Sequence, residues 1–450
     1  MQSLPLEFAA FIFVLGILVF VHEFGHYAVA KLFKVRVEVF SLGFGKRLIG
    51  FRRGDTDYRI SLLPLGGYVK MAGENPMEAR TGDPGEFMSH PRWQRFLVAI
   101  AGPAMNVFLA VAVLTGVFMF RHEYPAYLNQ PAVLGWVANN SPAQKAGFQP
   151  GDVIVAVQDK ENPTWDDVRY KIFGKINQNL EMKVQRGTQT LSLAMTPRIP
   201  EKDDDSDILA ELGLIPGGPS IVTKVEPDLP AAKAGIQPGD EIVAVNGTKV
   251  QNSRAYGLYA VLQKSKEASV PITVLRNGQA LEFKLAPQLL PGGPDKEGYR
   301  IGVEIPTDLR TEKLPFVAAL NAATVDCKKN SSLIFTLLGQ LFNPAVKGTL
   351  KQFSGPVGIM QESGRAAQAG FIVLLQFMAL ISLNLAIFNM LPIPILDGGL
   401  VLMLLVESVM RRDIKQEVKE RVYQAAFVFL VLFAAVVIFN DVSKGIHFKK

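Results

Sequence analysis

Thiol and imidazole groups are scarce in this chain. One cysteine, Cys327, stands among 450 residues, so no intrachain disulfide can form. Metal sites built on four cysteines, or on two cysteines and two histidines, are excluded with it. Histidine is nearly as rare: the five are His22, His26, His90, His122 and His447. The net charge is +6, yet no block of Lys and Arg with interleaved aromatics is present, which leaves nucleic-acid binding without support. The N-terminus has no Lys or Arg ahead of its apolar run and no small-x-small cleavage site behind it, so a cleaved signal peptide is not expected.

Apolar sequence is what the chain has in quantity. It makes up 49% of the residues, high for a soluble protein, and the length allows about two to four domains. A transmembrane helix needs about 20 mostly apolar residues. Residues 6–30, 96–120, 370–391 and 422–440 meet that need, which predicts four spans. Residues 31–95 hold twelve Lys/Arg, and residues 407–421 hold five, Arg411, Arg412, Lys415, Lys419 and Arg421. The positive-inside rule therefore places both loops in the cytoplasm and both termini outside. The long region between the second and third spans then lies outside.

That outer region contains a repeat. Residues 141–154 recur as residues 229–242, an offset of 88 throughout. Each copy has a Pro-Ala-x-Lys-Ala helix signal, a Pro-Gly-Asp turn, alternating Val/Ile, and paired strands around Arg186-Gly187 or Arg276-Asn277-Gly278. The pattern resembles the PDZ domain of bacterial envelope proteases, with copies at 127–200 and 208–290. Such folds bind extended peptides by adding a strand to a sheet edge. Residues 312–345 mix apolar and charged positions and read as one or two amphipathic helices on the outer membrane surface. Residues 353–359 read as a loop returning to the membrane. The cytoplasmic loop 31–95 alternates like strands at 35–40 and 58–63, with turns at Gly43-Phe44-Gly45 and Arg53-Gly54-Asp55. It predicts a small antiparallel sheet that either dips into the membrane or only packs on the helices.

Two of the five histidines fall in one motif, His22-Glu23-Phe24-Gly25-His26, at the inner end of the first span. On a helix, residues four apart share a face, so both imidazoles can meet one ion, and Glu23 is placed to move a proton for a water at that ion. No charge occurs from 8 to 21 ahead of the motif. Ionisable groups at such a place are costly and point to function. A catalytic zinc takes a third protein ligand. Asp397 is the one good candidate: a lone carboxylate in apolar sequence, in the third segment (370–406), after Asn389-Met390-Leu391-Pro392-Ile393-Pro394-Ile395-Leu396. The two prolines cannot continue a regular helix, so an unwound stretch lining a cavity is expected there. The deduced orientation puts the histidines and Asp397 at the inner ends of their spans.

The HEFGH motif, the run Ala101-Gly102-Pro103-Ala104-Met105-Asn106, the tandem repeats and NxxPxPxxDG together resemble the site-2 protease family, over essentially the whole chain. The resemblance implies a polytopic α-helical protein of the bacterial inner membrane, with the PDZ-like copies in the periplasm. It implies one zinc per chain on His22, His26 and Asp397, with Glu23 as general base. It implies substrate contacts at Asn389, Pro392 and Pro394, and a strand edge around Gly67 and Tyr68 that receives unfolded substrate. The implied substrates are single-pass membrane proteins of the anti-sigma-factor kind, cleaved after prior trimming of their outer part in envelope stress signalling. A non-catalytic membrane scaffold holding partners through its PDZ-like copies is the alternative. A metal transporter lacks a continuous polar path.

Overall fold

The computed structural model describes residues 4–74, 82–198, 208–291, 297–306, 308–341 and 355–447. Helix α1 (Leu4–Leu32) is apolar around most of its circumference. Its buried positions, Ala10, Val14, Leu18, His22, Gly25, His26 and Ala30, recur every three or four residues and form one stripe. The two histidines of the motif sit on that stripe. Phe20 and Phe24 are exposed on the opposite side.

Strands β1 (Val37–Arg53) and β2 (Thr56–Met71) are long and bent. Phe40 pairs with both Val69 and Tyr58, Ser41 with Tyr68 and Arg59, and Leu42 with Gly67 and Ile60. The two strands thus fold into four lanes in the order 67–71, 37–42, 57–61, 47–53; the flanking pairs are antiparallel, but the two central lanes run parallel, so the sheet is mixed where the sequence predicted an antiparallel one. The bend needs Gly43, whose φ of 90° is costly for other residues and whose missing Cβ would lie 2.7 Å from the Leu63 carbonyl oxygen. Lanes 67–71 and 37–42 bury Val37, Phe40, Val69 and Met71 with Ala30, Phe87 and Val98. The outer part of the sheet, residues 48–63, instead exposes Leu48, Ile49, Phe51, Ile60, Leu62 and Leu63.

Helix α2 (Arg92–Phe120) contains Pro103, which withdraws one N–H from the helical ladder. It packs closely on α1, because Gly25 lies against the Ala101 carbonyl and Gly102 against the His26 ring. A Cβ at either glycine would collide.

The chain from Glu123 to Thr311 belongs to a second unit, which we describe by itself. In its first half, strands 160–161, 153–157, 180–186 and 189–195 form one antiparallel sheet with helices α3 (Pro142–Lys145) and α4 (Trp165–Phe173). A Thr164–Asp167 capping box starts α4. Helix α5 (Ile208–Leu212) adds Leu209 and Leu212 to the core around Trp165. The second half repeats the sheet as strands 248–249, 241–245, 270–276 and 279–285, with α6 (Pro230–Ala234) and α7 (Arg254–Ser265). It has its own core around Ile242, Leu262 and Ile272.

One ion pair is copied with the repeat. Asp152 is fully buried and accepts from Arg186 Nε and Nη2 at 2.7 and 2.8 Å; Asp240 accepts from Arg276 at the same two distances. Each arginine also donates to the carbonyl of the glycine that ends the preceding helix, Gly147 or Gly235. The Pro-Gly-Asp turn is thus anchored by the arginine of the distant hairpin.

Among the described residues, segment 312–345 contains a single helix, α8 (Phe316–Leu341), where the sequence predicted one or two. Its small residues Ala319, Ala323 and Cys327 pack against Ala110, Leu114 and Val117 of α2 and Ala379 and Leu383 further on. Of the stretch 353–359, residues 353 and 354 lie outside the described residues, and from Pro356 the chain is helical, not a loop. Pro356 opens α9 (Pro356–Ala369) at a position where its missing N–H costs nothing. Gly370 then breaks the chain into α10 (Phe371–Asn389). After an unwound stretch come α11 (Asp397–Met410) and α12 (Gln416–His447). The segment 422–440 falls inside α12.

Among the described residues, α1, α2 and α10 are long and apolar enough to cross a membrane. Two cations counted for orientation are buried: Arg95, and Lys419, whose Nζ lies 2.6 Å from buried Glu407 Oε1.

Candidate metal centre

Two elements deliver the three ligands. One turn of α1 aligns His22 and His26, and the first residue of α11 is Asp397. Gly398 and Gly399 let this helix start tuck under the unwound stretch, since side chains there would strike the carbonyls of Met390, Leu391 and Ile393. Asp397 is thereby pulled to the depth of the histidines. His22 Nε2 lies 3.1 Å from Asp397 Oδ2, His26 Nε2 3.5 Å from Asp397 Oδ1, and the two Nε2 atoms 3.3 Å apart.

These separations carry chemical information. Ligand atoms about 2.0–2.1 Å from a tetrahedral ion stand about 3.3 Å from one another. The His26 ring donates its Nδ1–H to the Val98 carbonyl at 2.7 Å, so its Nε2 presents a lone pair to the cluster. Asp397 Oδ2 is buried without a hydrogen-bond partner. Such polar atoms converging in a buried place are satisfied by a bound cation. His22, His26 and Asp397 form the one three-residue group of this kind found among the described residues.

Of the other residues singled out in the sequence, several meet here. Glu23 faces the 67–71 lane of the sheet, where the Val69 amide reaches its carboxylate. A Cβ on Gly67 would stand 3.4 Å from Glu23 Cγ and 2.9 Å from Val19 Cγ1, so the lane lies against α1. Asn389 Nδ2 is 3.4 Å from His22 Nε2. Pro394 lines an apolar cavity of about 130 Å³ with Gly399, Leu402, Val406, Ile414 and Val418. Pro392 belongs to the stretch folded over the two glycines. The Tyr68 side chain is engaged elsewhere: its hydroxyl accepts from Arg59, and its ring stacks on Phe44 at 6.0 Å.

Sequence reasoning left unassigned the face of α2 that holds the imidazoles. Val98, Gly102 and Asn106 are spaced four apart. The first accepts from His26, the second leaves room for its ring, and the third contacts His22 Nδ1 at 3.1 Å. Asn106 is fully buried, and its backbone carbonyl accepts from Ser382 Oγ at 2.8 Å, which ties α2 to α10. The available signal was an amide side chain inside an uncharged span.

Comparison with known proteins agrees with this arrangement. The model of Peptidase family M50 matches residues 10–433. The chain is 35% identical over 468 positions to the regulator of sigma-E protease RseP of Salmonella typhimurium (strain 14028s / SGSC 2262), covering 99% of this chain and 100% of that protein. It is 34% identical over 466 positions to the regulator of sigma-E protease RseP of Escherichia coli (strain K12), with the same coverage. A Vibrio cholerae protein named as a zinc metalloprotease is 33% identical over 467 positions, again covering 99% of this chain and 100% of that protein. With the family's match running from the first helix into the last and spanning both halves of the metal centre, this chain belongs to peptidase family M50, the site-2 proteases.

Proposed function

We propose that the chain is an intramembrane zinc endopeptidase that cuts transmembrane segments of single-pass membrane proteins. The observation that carries the reading is the convergence of three buried lone-pair atoms at tetrahedral spacing beside a fourth, acidic side chain. His22, His26 and Asp397 hold one zinc, and Glu23 is the general base. The relatives' names, sigma-E regulation and zinc metalloprotease, support the metal and suggest anti-sigma-factor-like substrates. The proposed setting is a bacterial inner membrane crossed four times, the last time by α12, with the termini and both PDZ-like copies in the periplasm.

Zinc, when bound, supplies a Lewis acid that polarises the scissile carbonyl and acidifies water. Glu23 takes the proton of the attacking water and delivers it to the departing amine nitrogen. Asn389, beside His22, is placed to donate to the substrate. A helical substrate hides its carbonyls in its own hydrogen bonds, so it must be unwound before cleavage. The 67–71 lane packs against α1 and pairs with lane 37–42 along one edge; its other edge, on which no strand lies among the described residues, is suited to take the unwound chain as an added strand. Tyr68 would serve through its backbone, since its ring is committed to Arg59 and Phe44. The exposed apolar outer lanes favour a sheet that dips into the membrane. Pro392 and Pro394 hold the unwound stretch open next to the site.

The test uses purified chain and a tagged transmembrane substrate. Glu23→Gln should keep about one zinc per chain while cleavage is lost. Cleavage surviving that substitution would sink the assignment.

A further inference from the structure

The outward nitrogen of His26 is satisfied by a backbone carbonyl, which can only accept. His22 has no such carbonyl; its Nδ1 faces the side-chain amide of Asn106. An amide can present either its oxygen or its nitrogen, and the choice must be read from the surrounding network. With Nδ2 toward His22, Asn106 donates to Nδ1, and the imidazole must carry its proton on Nε2. That proton points at Asp397 Oδ2 and His26 Nε2, into the place of the ion. The same orientation strands Asn106 Oδ1 in a buried spot that no donor reaches. With the amide turned over, Oδ1 accepts from His22 Nδ1–H, and Nε2 is left as a lone pair.

We infer that Asn106 is a positioning residue for the metal centre: its Oδ1 accepts the Nδ1 proton of His22, which fixes the imidazole in the tautomer that can ligate zinc. The inference rests on the metalloprotease reading of the same site. It assigns to α2 one continuous task. Val98 and Asn106, two turns apart on one face, each take an outward N–H, and Gly102 between them leaves the rings room to stand side by side. The Ser382 bond to the Asn106 carbonyl keeps that turn of α2 in place from α10. The amide turned the other way describes a state closed to metal, in which His22 would donate to Asp397.

The pair Asn106→Asp and Asn106→Leu tests it through zinc affinity, measured by chelator competition on the full chain. A carboxylate accepts at both oxygens and so preserves the bond, whereas leucine cannot make it. Asn106→Leu should lower zinc affinity about 10- to 100-fold, the usual loss for an outer-shell partner. Asn106→Asp should stay within a few-fold of wild type. Both variants weak, or leucine as tight as wild type, would overturn the inference. If wild-type chain itself takes up no zinc, the metalloprotease reading fails instead. Should the aspartate variant not fold, nitrogen-15 spectra of histidine-labelled wild type decide: His22 should show a protonated Nδ1, and a protonated Nε2 would overturn the proposal.

Discussion

Gly102 holds a tight position at the metal centre. A methyl group there would overlap the His26 ring, which is fixed on its other side by the Val98 carbonyl. Gly102→Ala should therefore displace the imidazole, with a strain of about 1–3 kcal/mol and a fall in zinc affinity that exceeds any loss of helix content. Circular dichroism alongside chelator competition separates the two; unchanged affinity would show that the ring yields freely. At this scale the ligands were legible in sequence because their chemistry is costly where it stands. Two histidines and a lone aspartate in apolar runs have few structural explanations. Val98, Gly102 and Asn106 were not legible, because a carbonyl and a missing Cβ leave no mark in composition, and one amide in a span has many possible partners.

Among elements, the repeated Asp–Arg anchor decides how each PDZ-like copy holds its turn. The bidentate hydrogen bonds from Arg276 keep the Asp240 carboxyl below the usual carboxylate range. A depressed folded value means that this stabilisation is present above the unfolded value of about 3.9 and is lost as pH falls through the folded one. Arg276→Met should leave Asp240 buried without its partner and weaken the second copy by about 2–3 kcal/mol. Hydrogen exchange of amides 241–245 should accelerate accordingly, with amides 153–157 of the first copy as the internal standard. The acid sensitivity of 241–245 should also flatten in the variant. The turns were evident in the sequence, whereas the ion pair spans 36 residues and had no local signature. The packing face of α8 and the start of α9 escaped for a related reason. The charges of α8 masked a small-residue face that only its neighbours explain, and Ser-Gly-Pro reads as a turn until the proline is seen as the first residue of a helix.

For the whole molecule, we propose that the two units have different tasks: the first cuts, and the one built from the repeats screens out substrates whose outer part has not been trimmed. Removal of residues 127–290 should let full-length, untrimmed substrates be cleaved at rates approaching those of trimmed ones, while cleavage of trimmed substrates continues. An assay pairing the two substrate forms checks this; equal resistance of full-length substrate before and after the deletion would remove the screening role. The division into units was visible in sequence through the 88-residue offset and the apolar runs. The four-lane curl of the sheet was not, because each lane of β1 and β2 reads as an ordinary strand and the doubling arises only from the bends.

Lane 67–71 has a further consequence. Among the described residues no strand pairs with its outer side. Backbone polar groups left bare cannot face hydrocarbon. In the proposed membrane setting, the amides of Val69 and Met71 are met by the Glu23 and Glu74 carboxylates, and the remaining outer groups of the lane would stay wet whenever no substrate lies on it. Hydrolysis inside a bilayer needs a supply of its second reactant, and on this proposal the wetted edge would hold it beside Glu23. An arriving substrate strand would then displace solvent from the edge toward the carboxylate that is to use it.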